Sequence, residues 1–295
     1  MKVAGAPISW GVSELPGWGY RMAPDRVLEE MRSIGLEATE LGPPGYLPAD
    51  PLACRKLLEL HGLRLVAGFL ACVLHDSLSD ALGEIERQAT MLQSAGAELL
   101  VLAAALPGQT YDAHGELSEE AWRVMLGTIA AAEEIVARHG LRLAFHPHAG
   151  TAVESSQAVE RLMSTAGVDL CLDTGHLYLG GSDPVRVASA WGRRIGHVHL
   201  KDVALECAAR VRSGELAYAE GVRKGLYVPL GQGGIDIEAA IGRLRDAGYQ
   251  GWFVLEQDTA LTAEPAPASG PIEAARQSLE YFMRVFERQS ARHSN

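Results

Sequence analysis

Short apolar runs alternate with longer amphipathic stretches along the chain, and the pattern repeats eight times. The apolar runs are rich in aliphatic residues and end at polar or glycine-containing segments, which predicts buried β-strands. These predicted strands cover residues 3–10, 38–41, 63–70, 99–104, 141–148, 169–173, 195–201 and 251–257. The amphipathic stretches have a helical period of apolar positions, and the predicted helices cover residues 24–34, 51–61, 77–94, 118–139, 155–165, 183–193, 236–247 and 271–288.

Several predicted helices carry recognisable first and last residues. The pairs Asp50-Pro51 and Asp183-Pro184 each place a capping carboxylate before a proline at the first helical position. Glycine follows directly after four of the helices, where a left-handed backbone ends a helix most easily: Gly35, Gly62, Gly140 and Gly248. These signals support the predicted ends of the helices.

Strands that alternate with helices in this way indicate a parallel sheet covered on its outer face. Eight such units in 295 residues predict an α/β protein in which one domain, residues 1–295, closes into a single (β/α)8 TIM barrel. The alternative is a doubly wound open sheet. That fold usually has a glycine-rich phosphate-binding turn after its first strand, whereas the dense glycine cluster here, at residues 231–234, precedes the seventh predicted helix and is interpreted as a turn.

The composition of the chain argues against two classes of partner, nucleic acids and membranes. The chain has 26 basic and 37 acidic side chains, a formal net charge of −11, which argues against nucleic acid. The longest apolar run, residues 99–106, is much shorter than the ~20 residues of a membrane span. The N-terminus lacks signal-peptide features and the four cysteines form no C-x-x-C pair, so we expect a cytoplasmic protein with reduced thiols.

Polar side chains concentrate at the C-terminal ends of the last four predicted strands, where the active sites of such barrels lie. Each of these strands supplies one residue, and the four are His146, Asp173, His199 and Glu256. Because side chains alternate between the two faces of a strand, each of the four can point inward while its neighbours pack outward. Asp173, for example, shares its face with Cys171.

Two imidazoles and two carboxylates form a mixed nitrogen and oxygen ligand set, which suits Mn, Co, Fe or Zn better than Ca²⁺ or a thiolate-bound metal. Ionisable groups clustered inside a barrel mouth would be costly without a cation. We therefore predict a divalent metal, with Mn or Co preferred, at these four residues. Taken singly, a His or Asp at a strand end is more often a loop hydrogen-bonder than a ligand, and His197 is interpreted as a core histidine.

Five other residues near the strand ends have more than one interpretation each. His148 and His176 either bind substrate hydroxyls, hold a metal ligand in its orientation or cap a loop. Lys201 is either an electrophile and proton carrier or a lysine at the barrel rim. Trp10 either walls a sugar-like ring or packs in the core, and Glu40 is either a base at the pocket floor or a rim carboxylate.

Three segments resemble the xylose-isomerase-like sugar isomerase and epimerase barrels. They are Leu-Asp-Thr-Gly-His at 172–176, His-Val-His-Leu-Lys-Asp at 197–202 and Val-Leu-Glu at 254–256. The resemblance covers nearly the whole chain. It implies a divalent metal held by residues from the fifth to eighth strands, with His146 at a position where the broad family has Glu.

The segments Ala-Pro-Ile-Ser-Trp-Gly at 6–11, Phe-His-Pro-His-Ala-Gly-Thr at 145–151, and 220–225 with 228–231 resemble the inosose dehydratases of inositol catabolism. This implies a metal-dependent lyase that dehydrates a keto-inositol or related cyclic polyol through an enediolate. The catalytic candidates are His148, His176, Lys201 and Glu40, and the substrate-binding candidates are Trp10 and Arg223. Residues 41–46 lack the Asn-Lys pair expected of an inosose dehydratase, which implies a different cyclic polyol or keto-sugar.

Other functions share this barrel. A ketose isomerase or epimerase would use the same metal site and intermediate. An abasic-site endonuclease would need more metal-ligating histidines and a basic surface, which the charge of −11 disfavours. A polyol-binding barrel without catalysis is the third alternative. The expected partner is a small polyol or keto-sugar, and the sequence is compatible with a homo-oligomer.

Overall fold

A computed structural model describes residues 2–77, 79–108 and 111–293, and its strands pair in one large parallel sheet. The strands are β1 (Val3–Gly5), β2 (Ala38–Thr39), β3 (Arg64–Leu65), β4 (Ala67–Cys72), β5 (Leu99–Ala104), β6 (Arg142–Phe145), β7 (Asp169–Asp173), β8 (Ile195–Leu200), β9 (Asp202–Val203), β10 (Tyr227–Val228) and β11 (Phe253–Leu255). The sheet order is β3-β2-β1-β11-β8-β7-β6-β5-β4, and β9 pairs separately with β10 in antiparallel orientation.

The two ends of the sheet meet at Val66, the residue between β3 and β4. Its N–H donates to the Thr39 carbonyl (3.0 Å), and its own carbonyl accepts from the N–H of Glu98 (2.9 Å). Backbone pairing therefore continues from one end of the sheet to the other, with β3 and β4 acting as one barrel strand. The predicted (β/α)8 barrel is confirmed.

Helices surround the barrel and mostly follow the predicted order. They are α1 (Pro24–Ser33), α2 (Pro51–Leu60), α3 (Ala81–Ala95), α4 (Glu119–Arg138), α5 (Ser156–Thr165), α6 (Thr174–Leu179), α7 (Pro184–Trp191), α8 (Leu205–Arg212), α9 (Tyr218–Arg223), α10 (Ile237–Asp246) and α11 (Pro271–His293). Asp50 caps α2 through the N–H of Ala53 (2.7 Å), and Asp183 caps α7 through the N–H of Val185 (2.9 Å). The four predicted terminal glycines all have positive φ, between 66° and 100°.

The two faces of the strands pack into different layers, as the alternation predicts. The barrel interior is filled mainly by small side chains: Ala4, Ala6, Ala38, Val66, Ala67, Leu99, Val101, Ala144, Cys171, Trp252 and Val254. Leu170 and Leu172, on the opposite face of β7 from Cys171, belong to the larger cluster beneath the helices. The inward direction of Cys171 and Val254 is confirmed.

Several segments differ from the prediction, and one of them is the short helix α6, which was not predicted. The first strand ends at Gly5, because Pro7 lacks an N–H and begins a 3₁₀ turn that runs to Trp10. Helix α3 begins at Ala81 rather than at residue 77, and Leu78 lies outside the described residues. The chain between β8 and α10 contains β9, α8, α9 and β10, none of which was predicted.

Within the described residues, no helix combines the length and apolar character that a membrane crossing requires.

Candidate metal centre

The four predicted ligands lie where four neighbouring strands end. His146 follows β6, Asp173 is the last residue of β7, His199 lies near the end of β8, and Glu256 follows β11. The register pairs Asp173 directly with His199, and Glu256 lies two residues beyond Val254, which also pairs with His199. His146, Asp173 and His199 are buried, and the Glu256 side chain is 9% exposed.

The donor atoms of these residues converge. His199 Nδ1 lies 3.0 Å from Glu256 Oε2 and 3.5 Å from Asp173 Oδ2. His146 Nε2 lies 3.8 Å from the same Asp173 oxygen. Ligands held ~2.1 Å from one ion at ordinary coordination angles are roughly 3.0–3.4 Å apart, so this spacing is close to that of a divalent metal site.

Three of these atoms have no hydrogen-bond partner. Among the described residues, His199 Nδ1, Asp173 Oδ2 and Glu256 Oε2 are buried without one, although both oxygens lie within ion-pair distance of Lys201 Nζ. Buried polar atoms are rarely left unpaired in native proteins. A cation bound by these atoms removes that cost, and the residues present therefore fit a divalent metal.

The orientation of Asp173 follows from its place before α6. Its Oδ1 accepts the N–H groups of Gly175 and His176, each at 2.9 Å, which caps the helix and leaves Oδ2 directed towards the other ligands. Gly175 permits this close approach, since a Cβ there would lie 2.8 Å from both Lys201 Cβ and Tyr227 Cε1. The short helix thus positions one ligand atom.

Glu40 positions His199 from the opposite side. Its Oε1 accepts from Nε2 of His199 (3.0 Å) and from Nε2 of His197 (2.8 Å). With Nε2 as the donor, Nδ1 of His199 carries the lone pair that a metal needs. Burial alone would raise the pKa of Glu40, but the charge of His199 and the two hydrogen bonds lower it to about 2. His197 has the role of a buried, hydrogen-bonded histidine.

Lys201 is the buried cation of the site. Its Nζ lies 2.6 Å from Asp258 Oδ1 and 3.1 Å from Glu256 Oε2. Burial opposes the charged form, but Asp173, Asp258 and Glu256 raise the pKa of Lys201 well above its usual value. Three carboxyl groups lie within 3.5 Å of this one ammonium group, and Glu40 adds a fourth behind His199. The resulting negative potential favours a second cation.

The His148 and His176 rings are in close contact, with centroids 3.8 Å apart and planes tilted by 36°. The Nδ1–H of His148 donates to the Ala149 carbonyl (2.9 Å), in the tautomer that this bond requires, and Nε2 then has the lone pair. Burial and the charge of Lys201 lower the pKa of His148. Nδ1 of His176 accepts the N–H of Ala149 (3.3 Å), and its Nε2 lies 3.2 Å from Lys201 Nζ. His146, His148 and His176 are also close enough to share an ion, but the ammonium group beside His176 disfavours a cation there.

The structure places Trp10 and Arg223, the two predicted substrate-binding residues, outside the described lining of the cavity. The 3₁₀ turn directs the Trp10 ring into the core, where its Nε1 donates to Glu30 Oε2 (2.8 Å). Arg223 lies on the exposed side of α9, and its guanidinium donates to the carbonyl of Gly17 (2.9 Å).

Three polar residues at the site were not predicted to have a role in it. Tyr218 donates to Asp258 Oδ2 (2.6 Å), and its hydroxyl lies 2.9 Å from that of Tyr227. Asp258 is two residues beyond Glu256, a spacing that signals the same face of the strand. The tyrosines belong to the unpredicted chain between β8 and α10, and no pattern in the sequence distinguishes them.

A cavity of about 340 Å³ opens above the ligands. Its polar floor consists of Glu40, His146, His148, His199, Lys201, Glu256 and Asp258. This volume is at the lower end of the range typical of small-molecule sites, and the floor combines metal ligands, a fixed positive charge and a neutral imidazole. Such a set is suited to moving protons next to a carbonyl group.

Comparisons with known proteins agree with this geometry. A family model described as xylose isomerase-like TIM barrel matches residues 28–285. The rhizopine catabolism protein MocC of Rhizobium meliloti is 34% identical over 267 residues, which cover 88% of this chain and 82% of that protein. An inosose dehydratase of Geobacillus thermodenitrificans is 29% identical over 294 residues, covering 96% of each chain.

Among solved structures, the IOLI protein with a bound zinc atom superposes with a TM-score of 0.68 at 18% identity, covering 98% of this chain and 99% of that one. The chain belongs to the xylose isomerase-like TIM barrel family, as the resemblance in its sequence indicated. The expectation of an enzyme is confirmed by relatives that carry enzyme names.

Proposed function

We propose that the protein is a metal-dependent lyase that removes water from a keto-inositol or a related cyclic keto-polyol. The observation that carries the proposal is the convergence of unpartnered donor atoms of Asp173, His199 and Glu256 beside the Lys201 ammonium group, at the floor of a small cavity. The relatives named inosose dehydratase, which align along nearly the whole chain, support this choice of reaction.

The metal ligands in this proposal are His146, Asp173, His199 and Glu256. Their two nitrogen and two oxygen donors favour Mn²⁺ or Co²⁺, with Zn²⁺ and Fe²⁺ as alternatives. A bound cation would polarise the substrate ketone and so make the neighbouring carbon more acidic. Glu40, which the sequence suggested as a base, is assigned here to hold His199, because its Oε1 already accepts two imidazole N–H groups.

In this proposal, His148 carries out the proton transfers. Its Nε2 has the lone pair, its lowered pKa keeps the ring neutral, and it lines the cavity. The imidazole takes the proton from the carbon next to the ketone and returns it to the leaving hydroxyl, so the C–O bond breaks and water departs. Lys201 stabilises the negative charge that develops on oxygen. His176 packs its ring against that of His148 and is a positioning residue.

The first experiment measures metal content by mass spectrometry after purification and dialysis against Mn²⁺. We expect about one ion per chain in the wild type and far less in His199→Ala and Glu256→Gln. Glu59→Gln, an exposed pair partner of Arg55 on α2, serves as the matched control and should retain the ion. Equal, substoichiometric metal in all four proteins would remove the proposed site.

The second experiment follows 2-keto-myo-inositol and the appearance of a conjugated dione by absorbance. His148→Gln should lose roughly 10²- to 10⁴-fold in kcat while retaining its metal, because only the proton transfer is affected. If metal binds and no dione forms, while a ketohexose is converted, the isomerase or epimerase alternative is correct.

A further inference from the structure

The ammonium group of Lys201 has three carboxylate neighbours, and these are not equivalent. Its Nζ lies 2.6 Å from Asp258 Oδ1, 3.1 Å from Glu256 Oε2 and 3.5 Å from Asp173 Oδ2. Asp258 Oδ1 accepts a hydrogen bond from Nζ. Among the described residues, the other two oxygens have no hydrogen-bond partner. The contact with Asp258 is therefore the specific one, since charge-assisted hydrogen bonds of this length are the strong ones.

The other two carboxylates belong to the proposed metal ligands. Glu256 Oε2 and Asp173 Oδ2 lie 3.0 and 3.5 Å from His199 Nδ1, in the cluster of donor atoms described above. An ion at these oxygens and the Lys201 ammonium group have the same sign of charge, so the two cations compete for the oxygens and repel each other. To remain at the cavity floor, Lys201 needs a partner outside the ligand set.

Asp258 is a carboxylate outside that set, and its orientation is fixed. Its Oδ2 accepts a hydrogen bond from the Tyr218 hydroxyl (2.6 Å), which in turn lies 2.9 Å from the hydroxyl of Tyr227. All three side chains are buried. A rotation of the carboxylate towards the metal ligands would break a buried hydrogen bond, and such a loss is costly.

The backbone of Lys201 is fixed as well. The hydroxyl of Thr174 donates to the Lys201 carbonyl (2.6 Å), and its oxygen lies 2.8 Å from the Lys201 N–H, which donates to it. The Tyr227 ring packs beside the side chain, with its centroid 5.2 Å from Nζ. With the backbone held in this way, the hydrogen bond to Asp258 determines where Nζ lies.

We propose that Asp258, oriented by Tyr218, is a positioning residue that holds the Lys201 ammonium group beside the metal ligands and away from their donor atoms. The inference rests on the proposed function, in which an ion binds Glu256 and Asp173 while Lys201 stabilises negative charge on a substrate oxygen. Lys201 and Asp258 both line the cavity, so Nζ is held where a substrate can reach it.

The test compares Mn²⁺ affinities by competition with a fluorescent chelator. Asp258→Asn keeps the shape of the side chain and removes its charge, so Lys201 should shift towards the ligand oxygens and compete with the ion. We expect Mn²⁺ binding to weaken about tenfold or more. The factor by which Asp258→Asn weakens binding should be about tenfold larger in the presence of Lys201 than in a Lys201→Met background, where the competing ammonium group is absent.

The opposing interpretation is that Asp258 only adds negative charge near the ion. Asp258→Asn would then weaken Mn²⁺ binding by the same factor, or a larger one, in the Lys201→Met background, and this result would overturn the inference. Unchanged Mn²⁺ affinity in Asp258→Asn would also overturn it. Asp25→Asn is the matched control and should bind Mn²⁺ as the wild type does, because Asp25 is a 79% exposed partner of His61 on α1.

Tyr218→Phe is a second, milder variant that keeps the Asp258 charge and removes only the hydrogen bond to Oδ2. We expect about threefold weaker Mn²⁺ binding, and wild-type-like sensitivity to Mn²⁺ should return when Lys201→Met is added. With 2-keto-myo-inositol, kcat should fall about tenfold while KM stays within about twofold, because Nζ is less precisely placed. Wild-type Mn²⁺ affinity and kcat in this variant would contradict the orienting role of Tyr218.

The same measurements separate the inference from the proposed function. If the wild type binds Mn²⁺ and dehydrates the ketone, but Asp258→Asn has equal effects with and without Lys201, the positioning role is wrong and the proposed function stands. If the wild type binds no Mn²⁺, the proposed metal centre fails and the inference fails with it.

Discussion

A histidine can bind a metal only through a ring nitrogen that carries no proton. For His199 that nitrogen is determined by Glu40, which holds Nε2–H and leaves Nδ1 for the metal. The sequence places both residues near strand ends, but it does not show that a side chain after β2 crosses the barrel to reach β8. That contact joins residues 159 positions apart and is visible only in the folded chain.

Glu40→Gln tests this positioning role. The amide oxygen still accepts an imidazole N–H but has no negative charge, so we expect about tenfold weaker Mn²⁺ binding with the fold preserved. Competition with a fluorescent chelator measures the affinity, and Glu59→Gln on α2 should be unchanged. Wild-type affinity together with a loss of kcat would instead return Glu40 to the list of catalytic bases.

A substitution at Trp10 tests the buried position that the 3₁₀ turn gives to the indole ring. Trp10→Phe removes the donor to Glu30, a buried acceptor, and should lower the free energy of unfolding by about 1–3 kcal/mol. Urea denaturation measures this loss, and kcat/KM should remain within about twofold of wild type once the protein is folded. Unchanged stability with a large loss in kcat/KM would show that the indole contacts substrate after all.

At the scale of secondary-structure elements, the periodicity of the sequence predicts the long and regular helices and strands. The eight strand-and-helix units and the inward direction of Cys171 and Val254 were predictable, because alternation and helical period repeat over enough residues. Helix α6 has six residues and α9 also has six, too few for a period to be recognised. Tyr218, which contacts Asp258, is the first residue of α9, and Tyr227, which contacts Tyr218, lies in the two-residue strand β10, so the sequence did not reveal them.

The glycine cluster before α10 has its explanation in one side chain. The Asp202 carboxylate accepts the backbone N–H groups of Gly231, Gly233 and Ile235, at 2.9–3.0 Å, and that of Val203 next to it. A Cβ on Gly233 would lie 2.2 Å from Asp202 Oδ1, so this approach requires glycine. The interpretation of the cluster as a turn rather than a phosphate site is consistent with this use of its N–H groups.

Asp202→Ala should therefore destabilise the protein by about 3 kcal/mol, since the buried N–H groups of Val203 and Ile235 and the part-buried ones of two glycines lose their acceptor at once. Asp246→Ala, at the exposed end of α10, is the comparison and should change stability by less than about 1 kcal/mol. Thermal and urea unfolding measure both variants. Equal effects of the two substitutions would contradict the role given to Asp202.

At the scale of the whole molecule, the side chains of the barrel core and the ionisable groups of the candidate metal centre lie at different levels of the barrel. Small side chains fill its interior below the ligands, and ionisable groups lie above them at one end. The concentration of buried carboxylates there is unfavourable to the metal-free fold, and a cation at the ligands offsets it. The expected exclusion of nucleic acid, from a net charge of −11, remains a prediction at this scale.

This linkage gives the melting temperature a defined dependence on metal and pH. Mn²⁺ at about 100 times its Kd should stabilise the fold by about 2.7 kcal/mol, roughly 5 °C or more, and a chelator should reverse the shift. The neighbouring carboxylates raise the pKa of His199, against the effect of its burial. In the metal-free protein, the stability that this raised pKa provides is present below the unfolded pKa of histidine and is lost as pH rises through the folded pKa.

The cation competes with the same proton for Nδ1, so its stabilisation grows over the pH range in which the proton leaves. The melting temperature measured with Mn²⁺ minus that measured with a chelator should therefore increase from pH 6 to pH 8.5. Over this range the apparent affinity for Mn²⁺ should rise about tenfold per pH unit for each proton that the ion displaces. His199→Ala should show a small difference that is independent of pH. A wild-type difference that stays constant over this range would mean that the ion binds away from His199.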